Sequence, residues 1–124
     1  MIEFRQRKFL EQDMMPEAIK YLKSQGIPFT IITPDKAEEA SRVNSKSLVL
    51  TTFKKNTSGY YEIQVKDKEF YRYNRKLLEE YGGMRITGAD EKTKTYTAED
   101  DHLGKVLRVI VLLGLEKTLS VVKS

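Results

Sequence analysis

The sequence predicts an α/β fold: one layered domain in which helices pack on a mixed sheet, with a long apolar helix added at the C-terminal end. Three observations carry this. A length of 124 residues holds one domain, and a chain of that size buries roughly two-thirds of its unfolded surface, enough for a core without cross-links. The composition is globular, 40% hydrophobic and 32% charged with seven Tyr and five Phe, which opposes full disorder. Strand-like and helix-like patterns alternate along the chain, as layered α/β domains require.

The elements follow in order. Residues 1–10 alternate, with Ile2 and Phe4 on one side and Glu3, Arg5, Arg7 and Phe9 on the other, which reads as an edge strand or an extended arm. A helix follows: Pro16 suits its first turn, Met15, Ala18, Ile19 and Leu22 form an apolar stripe, and Gly26 is its stop signal. Residues 27–33 are rich in β-branched side chains and read as a buried strand with Pro28 at its start. Thr33 and Pro34 then supply the N-cap and first position of a short helix whose apolar side is Ala37, Ala40 and Val43.

Residues 47–53 and 60–66 are strands joined by Asn56-Thr57-Ser58-Gly59, which is turn chemistry, so they form a hairpin. Tyr61, Ile63 and Val65 share one face of its second strand; Tyr60, Glu62, Gln64 and Lys66 share the other, wet face. Asp67 is placed to cap a third helix running to Tyr81, with Phe70, Tyr73 and Leu77, together with Asn74, Leu78 and Tyr81, as its buried stripe and Gly82-Gly83 as its end. Residues 84–95 are short, polar and mixed: a small strand at 84–87, otherwise loop. Thr97-Ala98-Glu99-Asp100 opens the last helix, spanning 97–122 with a bend at Gly114; its β-branched centre, Val109-Ile110-Val111, leaves a strand reading open there. Right-handed crossovers would set the first two strands parallel and the hairpin antiparallel.

Several chemistries find no support. The chain has no cysteine, so it has no disulfide, thiolate metal site or thiol nucleophile. Mean hydropathy is −0.52, and the most apolar run, 106–115, is half the ~20 residues that span a bilayer. The charged N-terminal stretch lacks the apolar core of a secretory signal. His102 is the single histidine; beside Asp100 and Asp101 it reads as part of an acidic helix start rather than a metal site, since ligands must converge from several positions. Glu38-Glu39, Glu79-Glu80 and Asp90-Glu91 are neighbouring carboxylates in polar surroundings, where nothing raises a pKa for acid–base work. No nucleophile elbow or phosphate-loop fingerprint is present. The sequence therefore implies no enzyme, no cofactor, no metal and no membrane partner.

The charge is concentrated. The whole excess of +4 falls within residues 54–76, where seven cations face three anions. Lys54, Lys55, Lys68, Arg72, Arg75 and Lys76, with Tyr60 and Tyr71 free to stack, form a candidate nucleic-acid surface, cations for phosphate and rings for bases. Against it, Arg75 and Lys76 each have a glutamate four residues on, which pairs on a helix surface. A protein interface is the other candidate: Phe4, Arg5, Arg7 and Phe9 in the N-terminal segment, which can add as a strand to a partner's sheet, and Leu112, Leu115 and Leu119 in the last helix. That helix is apolar over more than half its circumference, so it either lies between layers or joins another chain, by self-association or with a protein partner.

Two resemblances attach to these residues. The strand–helix–strand–helix–hairpin–helix order, and Tyr21-Leu22-Lys23-Ser24-Gln25-Gly26-Ile27-Pro28-Phe29 within it, resemble the thioredoxin and glutaredoxin fold. The cysteines of that family would stand near Asp13-Met14-Met15-Pro16 and its cis-proline near Asn44-Ser45-Lys46-Ser47; the departures imply a redox-dead adaptor. A ferredoxin-like arrangement with a shuffled helix stays open. Phe4-Arg5-Gln6-Arg7-Lys8-Phe9 resembles the start of small structural and accessory proteins of tailed bacteriophages. That resemblance implies a virion component or a host-takeover factor, in the virion or the host cytoplasm, acting through protein contacts.

Overall fold

A computed structural model describes residues 11–44, 46–69 and 74–123. The predicted N-terminal strand or arm, with Phe4, Arg5, Arg7 and Phe9, lies outside them, as do Phe70, Tyr71, Arg72 and Tyr73.

The first described strand, β1 (Gln12–Asp13), turns at once into helix α1 (Met15–Ser24). Asp13 Oδ1 accepts the Met15 N–H at 2.9 Å, satisfying a helix-start donor. Met15, Ala18, Ile19 and Leu22 are buried, as their spacing predicts. The helix ends before Gly26, whose φ of +70° a side chain would strain.

Strand β2 (Phe29–Ile32) is not the buried strand expected: Thr30 and Ile31 are exposed, because among the described residues β2 has a neighbour, β7, on one side only. A 3-10 turn (Pro34–Lys36) leads into the short helix α2 (Ala37–Ser41). Thr33 does not cap the backbone there. Its hydroxyl bonds the Asp35 carboxylate instead and lowers that carboxyl's pKa. Val43 is exposed, so the apolar side of α2 shrinks to Ala37 and Ala40.

The expected hairpin is present as β3 (Ser47–Lys55) and β4 (Tyr61–Asp67), paired from Leu48↔Asp67 to Lys55↔Tyr61 with a bulge between Leu50 and Thr52. Asn56 Oδ1 closes the turn by accepting the Ser58 and Tyr60 N–H groups at 3.0 and 3.1 Å. Ile63 and Val65 are buried, while Glu62, Gln64 and Lys66 stay half-exposed.

Beyond β4 the chain departs from the sequence reading. Asp67 does not cap a helix; it closes β4 and is fully buried. Residues 68 and 69 form a turn, and the described part of the helix is α3 (Asn74–Lys76), continued by a π-helical turn (Leu77–Gly82). Of its expected stripe Leu78 is buried, but Tyr81 is 59% exposed. Residues 84–95 are not mainly loop. They form β5 (Arg85–Asp90), paired with β6 (Thr95–Asp100). The long helix over 97–122 is three elements: the end of β6, helix α4 (Leu103–Glu116) and strand β7 (Thr118–Val122). The acids at 99–101 imitate a helix start, but Tyr96 and Ala98 point inward while Thr95, Thr97 and Glu99 point outward, a period of two.

The sheet order is β2-β7-β3-β4-β6-β5, with β1 beside β3. β7 runs parallel to both β2 and β3; the remaining pairs are antiparallel. A thioredoxin-like sheet would set an early strand beside β2; here the last strand of the chain takes that place. One face carries the core, where α1 and α4 cover Leu48, Leu50, Phe53, Ile63, Val65, Tyr96 and Val121. The other face is covered by α2 over the start of β3, tied down by the Ser47 hydroxyl donating to the Ala40 carbonyl. Beyond α2 it presents half-exposed Thr52, Lys54, Gln64, Lys66, Thr97 and Glu99. Among the described residues no helix is long and apolar enough to cross a membrane.

Candidate functional site

Three of the five described cations singled out in the sequence, Lys54, Lys55 and Arg75, have partners within the chain. Lys54 Nζ lies 3.0 Å from Glu11 Oε1 and 3.6 Å from Glu62 Oε2, and the Glu11 hydrogen bond raises its pKa. Register places Glu62 opposite Glu99. Glu99 in turn accepts from the Arg85 guanidinium and, at 3.0 Å, from Asn56 Nδ2. A ladder of charge thus crosses the open face, from Glu11 through Lys54, Glu62 and Glu99 to Arg85, whose pKa the Glu99 bond raises. Lys55 Nζ sits 5.6 Å from the centre of the Tyr61 ring, a cation–π distance. Arg75 Nε pairs with Glu79 at 3.3 Å. Tyr60, Lys68 and Lys76 are exposed, and Tyr71 and Arg72 lie outside the described residues. Exposed pairs of this kind add only about 0–1 kcal/mol each. Their consequence here is that these cations already neighbour carboxylates or a ring.

The candidate interface leucines separate. Leu115 is 65% exposed on α4 and Leu112 is half-buried against the core. Leu119 is not on a helix surface at all: it is buried in β7, paired with Phe29 and Leu48, so it offers no surface to a partner. His102 caps α4, its Nδ1 accepting the Gly104 N–H at 3.1 Å while its own N–H donates to Asp100 Oδ1 at 2.8 Å. Among the described residues no three His, Asp or Glu side chains converge on a metal-sized position.

Three features were not read from the sequence. The first is a buried ion pair, Lys117 Nζ at 3.1 and 3.3 Å from the Asp67 oxygens. Burial raises the pKa of Asp67 despite the Glu69 N–H and the Lys117 ammonium. The second is a crevice of about 800 Å3 at the carboxyl ends of β2, β7 and β3. β3 changes partner along one edge, from β7 at Leu50 to β1 at Lys54, and the crevice opens over Thr51 and Thr52 in that interval. It draws on β1, α1, the Pro34 turn, β3, β4 and the end of β7, and no sequence pattern announces such a convergence.

The third is the contrast between the two sheet edges. β5 carries a charge near each end, Arg85 and Asp90, and a bulge between Ile86 and Gly88, devices that discourage pairing. β2 (Phe-Thr-Ile-Ile) carries no charge, proline or bulge within its span, and its Ile31 is 49% exposed. The Lys123 N–H donates to the Ile32 carbonyl at 2.9 Å, so Ile32 turns its backbone polar groups toward β7. One residue back, Ile31 turns its own toward the open side. No family model, curated protein or solved structure matches this chain.

Proposed function

We propose that this chain is a non-enzymatic accessory or virion-type protein that works through protein–protein contacts, receiving an extended strand of its partner along β2. The observation that carries this reading is the outer edge of β2, which has no partner strand among the described residues and no charge, proline or bulge within Phe29–Ile32. Natural sheets blunt their edges with charge, proline or bulges, as β5 does here, and an edge left bare is a template for strand addition. The partner that fits is an extended segment with apolar or β-branched side chains, which packs against Ile31 while its backbone meets the outward groups of that residue. The likeness of Phe4–Phe9 to small bacteriophage proteins favours the virion or accessory role. The internal pairing of Lys54, Lys55 and Arg75 weighs toward protein, rather than nucleic acid, as the partner.

Photo-crosslinking tests this. A photoreactive side chain at Ile31, introduced in the cells that carry the protein, is expected to form discrete protein adducts that map to an extended partner segment, whereas one at Thr87 on β5 is not. Ile31→Pro removes an outward N–H without breaking the β2–β7 ladder, so it should abolish the adducts of a probe at Thr30 while the circular dichroism spectrum is kept. Equal adducts at both edges, or adducts indifferent to proline, overturn the reading.

A further inference from the structure

The crevice at the carboxyl ends of the parallel strands lies where open α/β sheets bind their ligands, and its volume of about 800 Å3 falls in the ~300–1,000 Å3 range of small-molecule sites. Its walls are apolar on two sides: Pro16 at the start of α1, and Pro34 and Ala37 across from it, with Val122 at the end of β7. Its charged groups fall into two classes. The carboxylates are committed, Glu11 to Lys54 at 3.0 Å and Asp13 to the Met15 N–H at 2.9 Å. Among the described residues two ammonium groups have no carboxylate partner: Lys66 Nζ donates to a neutral acceptor, the Thr93 carbonyl, at 3.3 Å, and Lys123 is exposed.

We infer that this crevice is a binding site for an amphipathic organic anion: an apolar or aromatic body held between Pro16, Pro34, Ala37 and Val122, with one carboxylate, sulfonate or phosphate group directed to Lys123. Of the carboxylates a cationic ligand would meet, Glu11 is neutralised by Lys54 and Asp13 holds the Met15 N–H, while two ammonium groups, Lys66 and Lys123, have no carboxylate partner among the described residues, so the balance of charge favours an anion. A small inorganic anion would leave the apolar walls unused.

Two probes of matched shape separate the elements of this assignment: 1-anilinonaphthalene-8-sulfonate, an aromatic anion, and N-phenyl-1-naphthylamine, its neutral counterpart. The folded protein is expected to enhance the fluorescence of the anionic probe saturably, at one site per chain, and to bind the neutral probe more weakly. Lys123→Glu, an exposed change that leaves the sheet intact, should weaken the anionic probe about threefold or more, the upper range for one surface charge pair, and leave the neutral probe unchanged. Val122→Trp fills the crevice and should abolish both. Amide shifts on titration should fall at Thr51, Thr52 and Lys123. The assignment is overturned if Lys123→Glu affects both probes alike, if neither variant alters binding, or if the shifts fall elsewhere.

Discussion

Lys117 and Asp67 stand 50 residues apart in the chain and meet in the core, Lys117 with 4% and Asp67 with 0% of the side chain exposed. A buried pair is weak evidence of net stability, but breaking one is costly, because the remaining charge is left without water or partner. Lys117→Met is therefore expected to lower unfolding free energy by about 3–5 kcal/mol, and the double variant Lys117→Met with Asp67→Leu to recover most of that loss, both measured by urea denaturation. The pair also sets a pH dependence. Burial places the Asp67 pKa above its ordinary 3.8, so between that value and the raised one the folded chain holds a proton that the unfolded chain has released. Stability then falls as pH rises through that window. Relative to Asp67→Asn, the parent protein should lose stability on going from the ordinary carboxylate range upward through the raised value. The difference should be level on either side, and a difference that rises with pH would contradict the burial argument.

Among the elements, α1 and the β3–β4 hairpin were legible because their signals are local. Met15, Ala18, Ile19 and Leu22 repeat at helical spacing, and Asn56 and Gly59 carry the turn within the residues that use it. The segment from Thr95 to Val122 was not legible, for two physical reasons. Glu99, Asp100 and Asp101 have the composition of a helix start, yet Glu99 serves as the acceptor for Arg85 and Asn56 from neighbouring strands. Where α4 stops is fixed by Lys117, which leaves the helix in an extended conformation to reach a carboxylate that no local window contains. The charge ladder was hidden in the same way, since Glu62 meets Glu99 only once β4 has paired with β6. Gly114 shows what such packing demands. A Cβ there would approach Ile27 Cγ2 to 2.5 Å and Leu119 Cδ2 to 3.3 Å, so at this glycine α4 packs tightly on Ile27, which precedes β2, and on Leu119 of β7. Gly114→Ala gains about 1 kcal/mol of helix propensity, yet overpacking of a filled core costs about 1–3 kcal/mol. The expected outcome is a net loss of stability in thermal unfolding. A variant as stable as the parent would mean that Ile27 moves aside freely.

At the scale of the molecule, the decisive fact is that the last strand is a central one. β2 and β3 follow each other closely in sequence but do not pair; β7, arriving from the far end of the chain, stands between them. Until residues 117–122 are in place, β2 has no neighbour among the described residues, β3 has β4 alone beside it along Leu48–Leu50, and Asp67 lacks the Lys117 ammonium. Such non-local pairing is slow to form, because the loop must close before any contact rewards it. It also makes the fold all-or-none with respect to its C-terminal segment. Removing residues 117–124 takes away Leu119 and Val121 from the core together with both parallel ladders. The shortened chain is expected to lose its cooperative unfolding transition and to be cut rapidly by protease at sites protected in the parent. Removing residues 123–124 alone keeps every β7 pairing and, among the described residues, sacrifices one backbone hydrogen bond, from Lys123 to Ile32. That chain should melt cooperatively within a few degrees of the parent. If the chain ending at Glu116 still unfolded cooperatively, β2 and β3 would have to close directly on each other, and the central place of β7 would not be what holds this sheet together.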